Sequence, residues 1–184
     1  MTNETEIEPE FASADFFELL LNKKMYRSEH DWYNMALTSY YETPKQIDLG
    51  LFFYNGFPWL GKVKLTEEER AFLGNQPGFF LDMEIKRLST TQMNEVLNQY
   101  FGITMERTER RGMDNFIYYE KTDSYYFAHT DALLVHNITV TDVEIREDGI
   151  YLIHYFPDDI SYCPAVVVMR YTDGDWQFIS NLPA

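Results

Sequence analysis

A chain of 184 residues that is 45% apolar and carries 14 Tyr, 14 Phe and 3 Trp can bury roughly 70% of its unfolded surface, which excludes disorder for its body. Thirty Asp and Glu against 15 Lys and Arg give a net charge of -15. That sign repels nucleic-acid phosphates and anionic lipid headgroups, while a basic partner, a cation or a neutral ligand is easier to accommodate.

Residues 1–12 contain Glu4, Glu6, Glu8 and Glu10 and read as an acidic tail or linker ahead of one α+β domain over 13–184. The first ten residues lack the basic and apolar regions of a signal peptide, and no run of roughly 18 apolar residues is present to cross a bilayer. An upstream lipobox would place the protein at the cell surface, and a native Met1 in the cytoplasm. With Cys163 as the single cysteine, no intrachain disulfide can form.

Behind Ser13 and Asp15, residues able to cap a first turn, Phe16, Phe17, Leu20, Leu21 and Met25 recur at helical spacing and predict a helix ending near Arg27. Trp32 to Tyr41 is aromatic without a clean period, and both a short helix and an extended segment fit it. Thr43-Pro44-Lys45-Gln46 is a helix-start signature leading into Ile47 to Tyr54, stopped by Asn55-Gly56. Thr66 to Glu69 repeats the capping logic before Ala71, Phe72, Leu73 and Gly74. Ser89 to Gln92 starts a further helix, in which Met93, Val96, Leu97 and Tyr100 share a face and Gly102 supplies the stop.

After Gly112 the texture turns to β-branched and aromatic runs between turn residues. Strands are expected over Phe116–Glu120, Tyr125–His129, Val135–Arg146, Ile150–Phe156, Ala165–Tyr171 and Trp176–Ser180. Glu147-Asp148-Gly149 and Asp173-Gly174-Asp175 read as hairpin turns. Ile138 and Val140 share one parity, Val143 and Ile145 the other, and a bulge near Thr141 and Asp142 reconciles them. Ile150, Leu152, His154 and Phe156 oppose Tyr151, Ile153 and Tyr155, so this strand should be central, with helices on one face. The expectation is an α+β fold, with N-terminal helices (13–111) packed on a C-terminal curved antiparallel sheet of five or six strands (112–184).

Chemistry-bearing constellations are sparse. His129 and Asp131 fall on one side of a strand end, and with Asp123 they could make a metal or acid-base site; a surface or turn role is the commoner reading. Cys163 and His154 allow a thiolate-imidazole pair, but no third group orients it. Asp158-Asp159 and Asp173-x-Asp175 are paired carboxylates and equally ordinary turn composition. The glycines follow neither the phosphate-loop nor the dinucleotide spacing, and no cofactor is implied.

The most distinctive feature is aromatic: Tyr118-Tyr119 and Tyr125-Tyr126-Phe127 on two strands of an expected hairpin. Tyrosines amid carboxylates suit a sugar, a cationic peptide or a partner protein, and packing beneath the helices competes at each position. The binding surface is therefore sought at Tyr118, Tyr119, Tyr125, Tyr126, His129, Asp131 and His154. The readings are a non-enzymatic module for a peptide, glycan or protein, a small enzyme or ligand pocket, and an inhibitor or immunity-type protein that neutralises a basic partner.

Met93 to Leu97, Tyr100-Phe101-Gly102-Ile103, Tyr118 to Asp123 with Tyr125-Tyr126 and His129-x-Asp131, and the closing Trp176-x-Phe178-x-Ser180-Asn181 resemble an uncharacterised family of clostridial (Firmicutes) proteins. Its members are often predicted lipoproteins, so the resemblance implies a surface location and carries over no catalytic residue. The element order is similar to the cystatin-like and NTF2-like architectures, in which a helix on a concave sheet forms a pocket.

Overall fold

The computed structural model describes residues 12–22, 33–56, 63–129, 137–158 and 163–184. The fold is α+β: the described residues form four helices, all within the first 101 residues, and two antiparallel sheets. No helix among the described residues is long and apolar enough to cross a membrane.

Capping chemistry sets the helix starts. Helix α1 (Ala14–Leu21) begins where the Ser13 side chain accepts from the Phe16 amide, and Phe17, Leu20 and Leu21 are its buried stripe. The expected end near Arg27 lies outside the described residues. The undecided stretch contains a 3₁₀ turn, Met35–Leu37. The Thr43 box closes a separate 3₁₀ turn, Pro44–Gln46, rather than opening the next helix. Helix α2 (Leu49–Gly56) instead starts at Asp48, whose carboxylate accepts from the Leu51 amide at 2.8 Å. Helices α3 (Glu67–Gly74) and α4 (Thr90–Phe101) each carry a complete capping box, from Thr66 and Glu69 and from Ser89 and Gln92, and Gly102 ends α4 in the left-handed conformation.

The first sheet comprises β1 (Glu84–Ser89), β2 (Ile117–Tyr119) and β3 (Ser124–His129) in the order β1-β3-β2. Strand β1 corrects the reading of 13–111 as helical. Its alternation is masked because Lys86 lies on the buried side, paired with Glu84 at 2.7 Å. The second sheet is a meander, β4 (Ile138–Arg146), β5 (Ile150–Pro157), β6 (Ala165–Thr172) and β7 (Asp175–Pro183), with β5 and β6 central as their apolar faces require. All six expected strands form, but β2 and β3 pair with β1, so the strands divide between two sheets.

The main core lies between α1, α4 and one face of the meander. Phe17 meets Trp176 edge to face, with ring centroids 4.9 Å apart, and Tyr151, Ile153, Tyr155, Val167, Met169 and Phe178 complete that face. Leu88, Phe116 and Phe127 of the first sheet's segment join this core, while its other face builds a smaller one with Leu73, Ile85, Tyr119 and Tyr126 beneath α3. A clamp joins the early chain to β7: Tyr41 and Asn181 exchange backbone bonds at 2.8 and 2.9 Å. The buried Asn181 amide also donates to the Ser39 carbonyl and accepts from Tyr155. At Gly50 and Gly112 two backbones touch. A Cβ on Gly50 would lie 2.0 Å from the Gly112 carbonyl oxygen, so α2 can approach this loop only with hydrogen there.

Candidate functional site

The tyrosines of β2 and β3 separate by strand parity. Tyr119 and Tyr126 are buried, the first with its ring stacked 4.2 Å from Phe72 and the second with its hydroxyl on the Glu69 carboxylate. The expectation that they present a ligand surface is corrected: they hold α3 to the sheet. Burial pushes the Glu69 carboxyl up, but hydrogen bonds from Tyr126 and Thr66 and the Arg87 guanidinium 3.1 Å away outweigh it and hold its pKa at about 2.

Tyr118 and Tyr125 lie opposite each other on the other face, rings 5.0 Å apart, with Tyr118 exposed and Tyr125 half-buried against the main core. The Tyr118 hydroxyl donates to Asp123, which also accepts from Thr90, and that bond raises the Tyr118 phenol above its usual pKa. Asp123 closes the turn before β3, at the opposite end of the strand from His129, so these two do not share a ligand site. His129 stands opposite Glu84, its ring stacked on Tyr54 at 5.0 Å. Asp131 lies outside the described residues. The aromatic surface thus reduces to Tyr118 with the edge of Tyr125.

The outer face of the meander gathers a different set. Between Val140 and Asp142 the β4-β5 register shifts, and the extra residue reverses the parity of the strand. Thr141 and Asp142 are both exposed, Val143 returns toward the core, and Glu144 is exposed again. Asp142 therefore sits directly across from His154, with Glu144 one diagonal away opposite Leu152. His154 Nε2 is 3.0 Å from Glu144 Oε1, and one ligand atom from each of the three side chains falls within 4.8 Å of the others. The Thr141 hydroxyl donates to the His154 carbonyl at 3.2 Å and fixes the bulge against β5. His154 was a candidate from sequence. Asp142 and Glu144 were not, although the expected bulge together with the parity of β5 contained their placement.

Around this triad the outer face is largely apolar, with exposed Arg146 and Arg170 flanking Ile150 at one end. Ile150, Leu152, Val166 and Val168 are half-buried, and Phe156 and Leu182 are exposed at 50% and 38%. Among the described residues, α1 and α4 pack against the opposite face through Phe17, Met93 and Leu97.

The remaining candidates have structural roles. Cys163 is exposed, and its carbonyl accepts a long bond from Tyr40 while His154 engages Glu144. Asp173, at φ 52, forms the hairpin turn and Asp175 opens β7. The Asp158 amide donates to Asn137, and Asp159 lies outside the described residues. Among the described residues, packed rings lie between helices and meander, and beside Ile138 and Tyr155 is a cavity of about 20 Å³, the room of one water. An open cleft of about 310 Å³ lies elsewhere, bounded by Tyr54, Phe79, Asp114 and Ile117. No family model, curated protein or solved structure matches this chain.

Proposed function

We propose that the chain is a non-enzymatic binding module that receives a protein segment of basic and apolar side chains on the outer face of the β4-β7 meander. The observation that supports this is the chemistry of that face. An antiparallel sheet with one face on the core ordinarily turns polar residues outward. Here Leu152, Val166, Val168, Phe156 and Leu182 form an apolar stretch of the outer surface; Asp142 and Glu144 border it on the β4 side, and Arg146 and Arg170 lie beyond it at the Ile150 end. An apolar patch rimmed by charge is the pattern of an interaction surface. The net charge of -15 selects a basic partner over an acidic one and steers its approach.

The test is fluorescence anisotropy with two labelled peptides of alternating Lys and Leu or alternating Glu and Leu. The Lys peptide should bind, more weakly as salt is raised, and the Glu peptide should not. The double variant Phe156→Lys, Leu182→Lys should lose about tenfold or more of the affinity, or about 1.4 kcal/mol, with an unchanged circular dichroism spectrum. Equal binding of both peptides, or full binding by the double variant, would overturn the reading.

A further inference from the structure

We infer that Asp142, Glu144 and His154 form a binding site for a transition-metal dication of the zinc class. The donor set is mixed, one imidazole nitrogen and two carboxylate oxygens, which suits zinc better than the all-oxygen cages of calcium or magnesium. With metal-ligand bonds of about 2.0–2.1 Å, tetrahedral coordination places ligand atoms about 3.3 Å apart. His154 Nε2 and Glu144 Oε1 already stand at 3.0 Å, and the full set lies within 4.8 Å, so rotation of exposed side chains closes the site without moving the backbone.

The backbone supplies the placement. Asp142 and His154 are direct cross-strand partners on adjacent strands of a four-stranded sheet, and the bulge at Thr141 brings Asp142 and Glu144 together to the outer face, where His154 lies. An unbulged β4, continuing the parity of Ile138 and Val140, would turn both Asp142 and Glu144 toward the core face and leave His154 with neither carboxylate. Three protein ligands on an open sheet face leave the remaining position to water or to a donor from a bound partner. The competing account of the same geometry is a simple hydrogen-bonded pair, His154 with Glu144. It assigns Asp142 no part, and that difference is testable.

The experiment is isothermal titration of zinc into the metal-free full chain, with Asp142→Asn, Glu144→Gln and His154→Gln as separate variants and circular dichroism as the check on folding. One zinc per chain is expected, retained in excess magnesium, with each variant losing about tenfold or more in affinity, the scale that even supporting residues of a metal site show. Zinc should also raise the thermal midpoint of the wild type and not of the variants. Cobalt substitution gives an independent readout, a visible absorption band that Asp142→Asn removes. Absence of saturable zinc binding, or binding that Asp142→Asn and His154→Gln leave unchanged, would overturn the assignment. Since the peptide experiment varies Phe156 and Leu182 and this one uses metal alone, either proposal can fail without the other.

Discussion

The hydroxyls of Tyr41 and Tyr155 are both buried, and only one is served. Tyr155 donates to the Asn181 side-chain oxygen at 2.8 Å, whereas the Tyr41 hydroxyl has no hydrogen-bond partner among the described residues. Burial raises the phenol of each above its ordinary pKa, so both are neutral donors throughout the physiological range. Removing an unpaired buried hydroxyl is neutral or favourable, while removing a paired one strands its acceptor at about 1–3 kcal/mol. Tyr41→Phe should therefore hold or raise the unfolding free energy measured in urea, and Tyr155→Phe should lower it by about 1–3 kcal/mol. A larger loss for Tyr41→Phe would contradict this account.

Among the elements, α3 is joined to its sheet by the Phe72–Tyr119 ring stack, an exposed Glu68–Lys121 pair and a buried acid, Glu69. Glu69 completes the capping box with Thr66 and also binds Tyr126 and Arg87, so the same carboxylate starts the helix and docks it. Its folded pKa of about 2 lies below the ordinary value of 4.5. The stabilisation is then complete above the unfolded pKa and is lost as pH falls from about 4.5 toward 2, on the order of 3 kcal/mol in all. Glu69→Gln should be less stable at pH 7 and show a flatter loss over that interval in urea titrations; a parallel acid limb would count against the assignment.

The same helix shows what is legible in sequence. Capping boxes at Thr66 and Ser89, the hairpin turns and the bulge at Thr141, read from Ile138 to Ile145, are written in short local runs of sequence, and each forms where its pattern predicts. The Thr43 box misleads about α2 because it closes only a 3₁₀ turn before Asp48 takes over. Strand β1 and the division into two sheets were not legible, since pairing Glu84–Ser89 with Ser124–His129 is a contact across forty residues that no local pattern records. The triad falls between these cases. Its strand parities were readable, yet which strands neighbour each other decides that His154 meets Asp142.

At the scale of the molecule, charge opposes compaction. Acids outnumber bases 30 to 15, and the ion pairs of Glu84 with Lys86, Glu109 with Arg111 and Glu144 with His154 are partly solvated. Self-repulsion of like charges destabilises a compact state and is screened by salt. Raising sodium chloride from about 0.02 M to about 0.5 M, which shortens the screening length severalfold, should raise the thermal midpoint in calorimetry; a fall would mean that the favourable pairs outweigh the repulsion. The clamp on Asn181 sets a schedule as well. Ser39 and Asn181 lie 142 residues apart, and Trp176, the ring that covers Phe17, belongs to the same strand. At a synthesis rate of about 5–20 residues per second, the early chain waits on the order of ten seconds for β7 to be made. Through that interval Phe17, Leu20 and Leu21 lack part of their native cover, so the exposure of α1 during biosynthesis is set by the speed of translation.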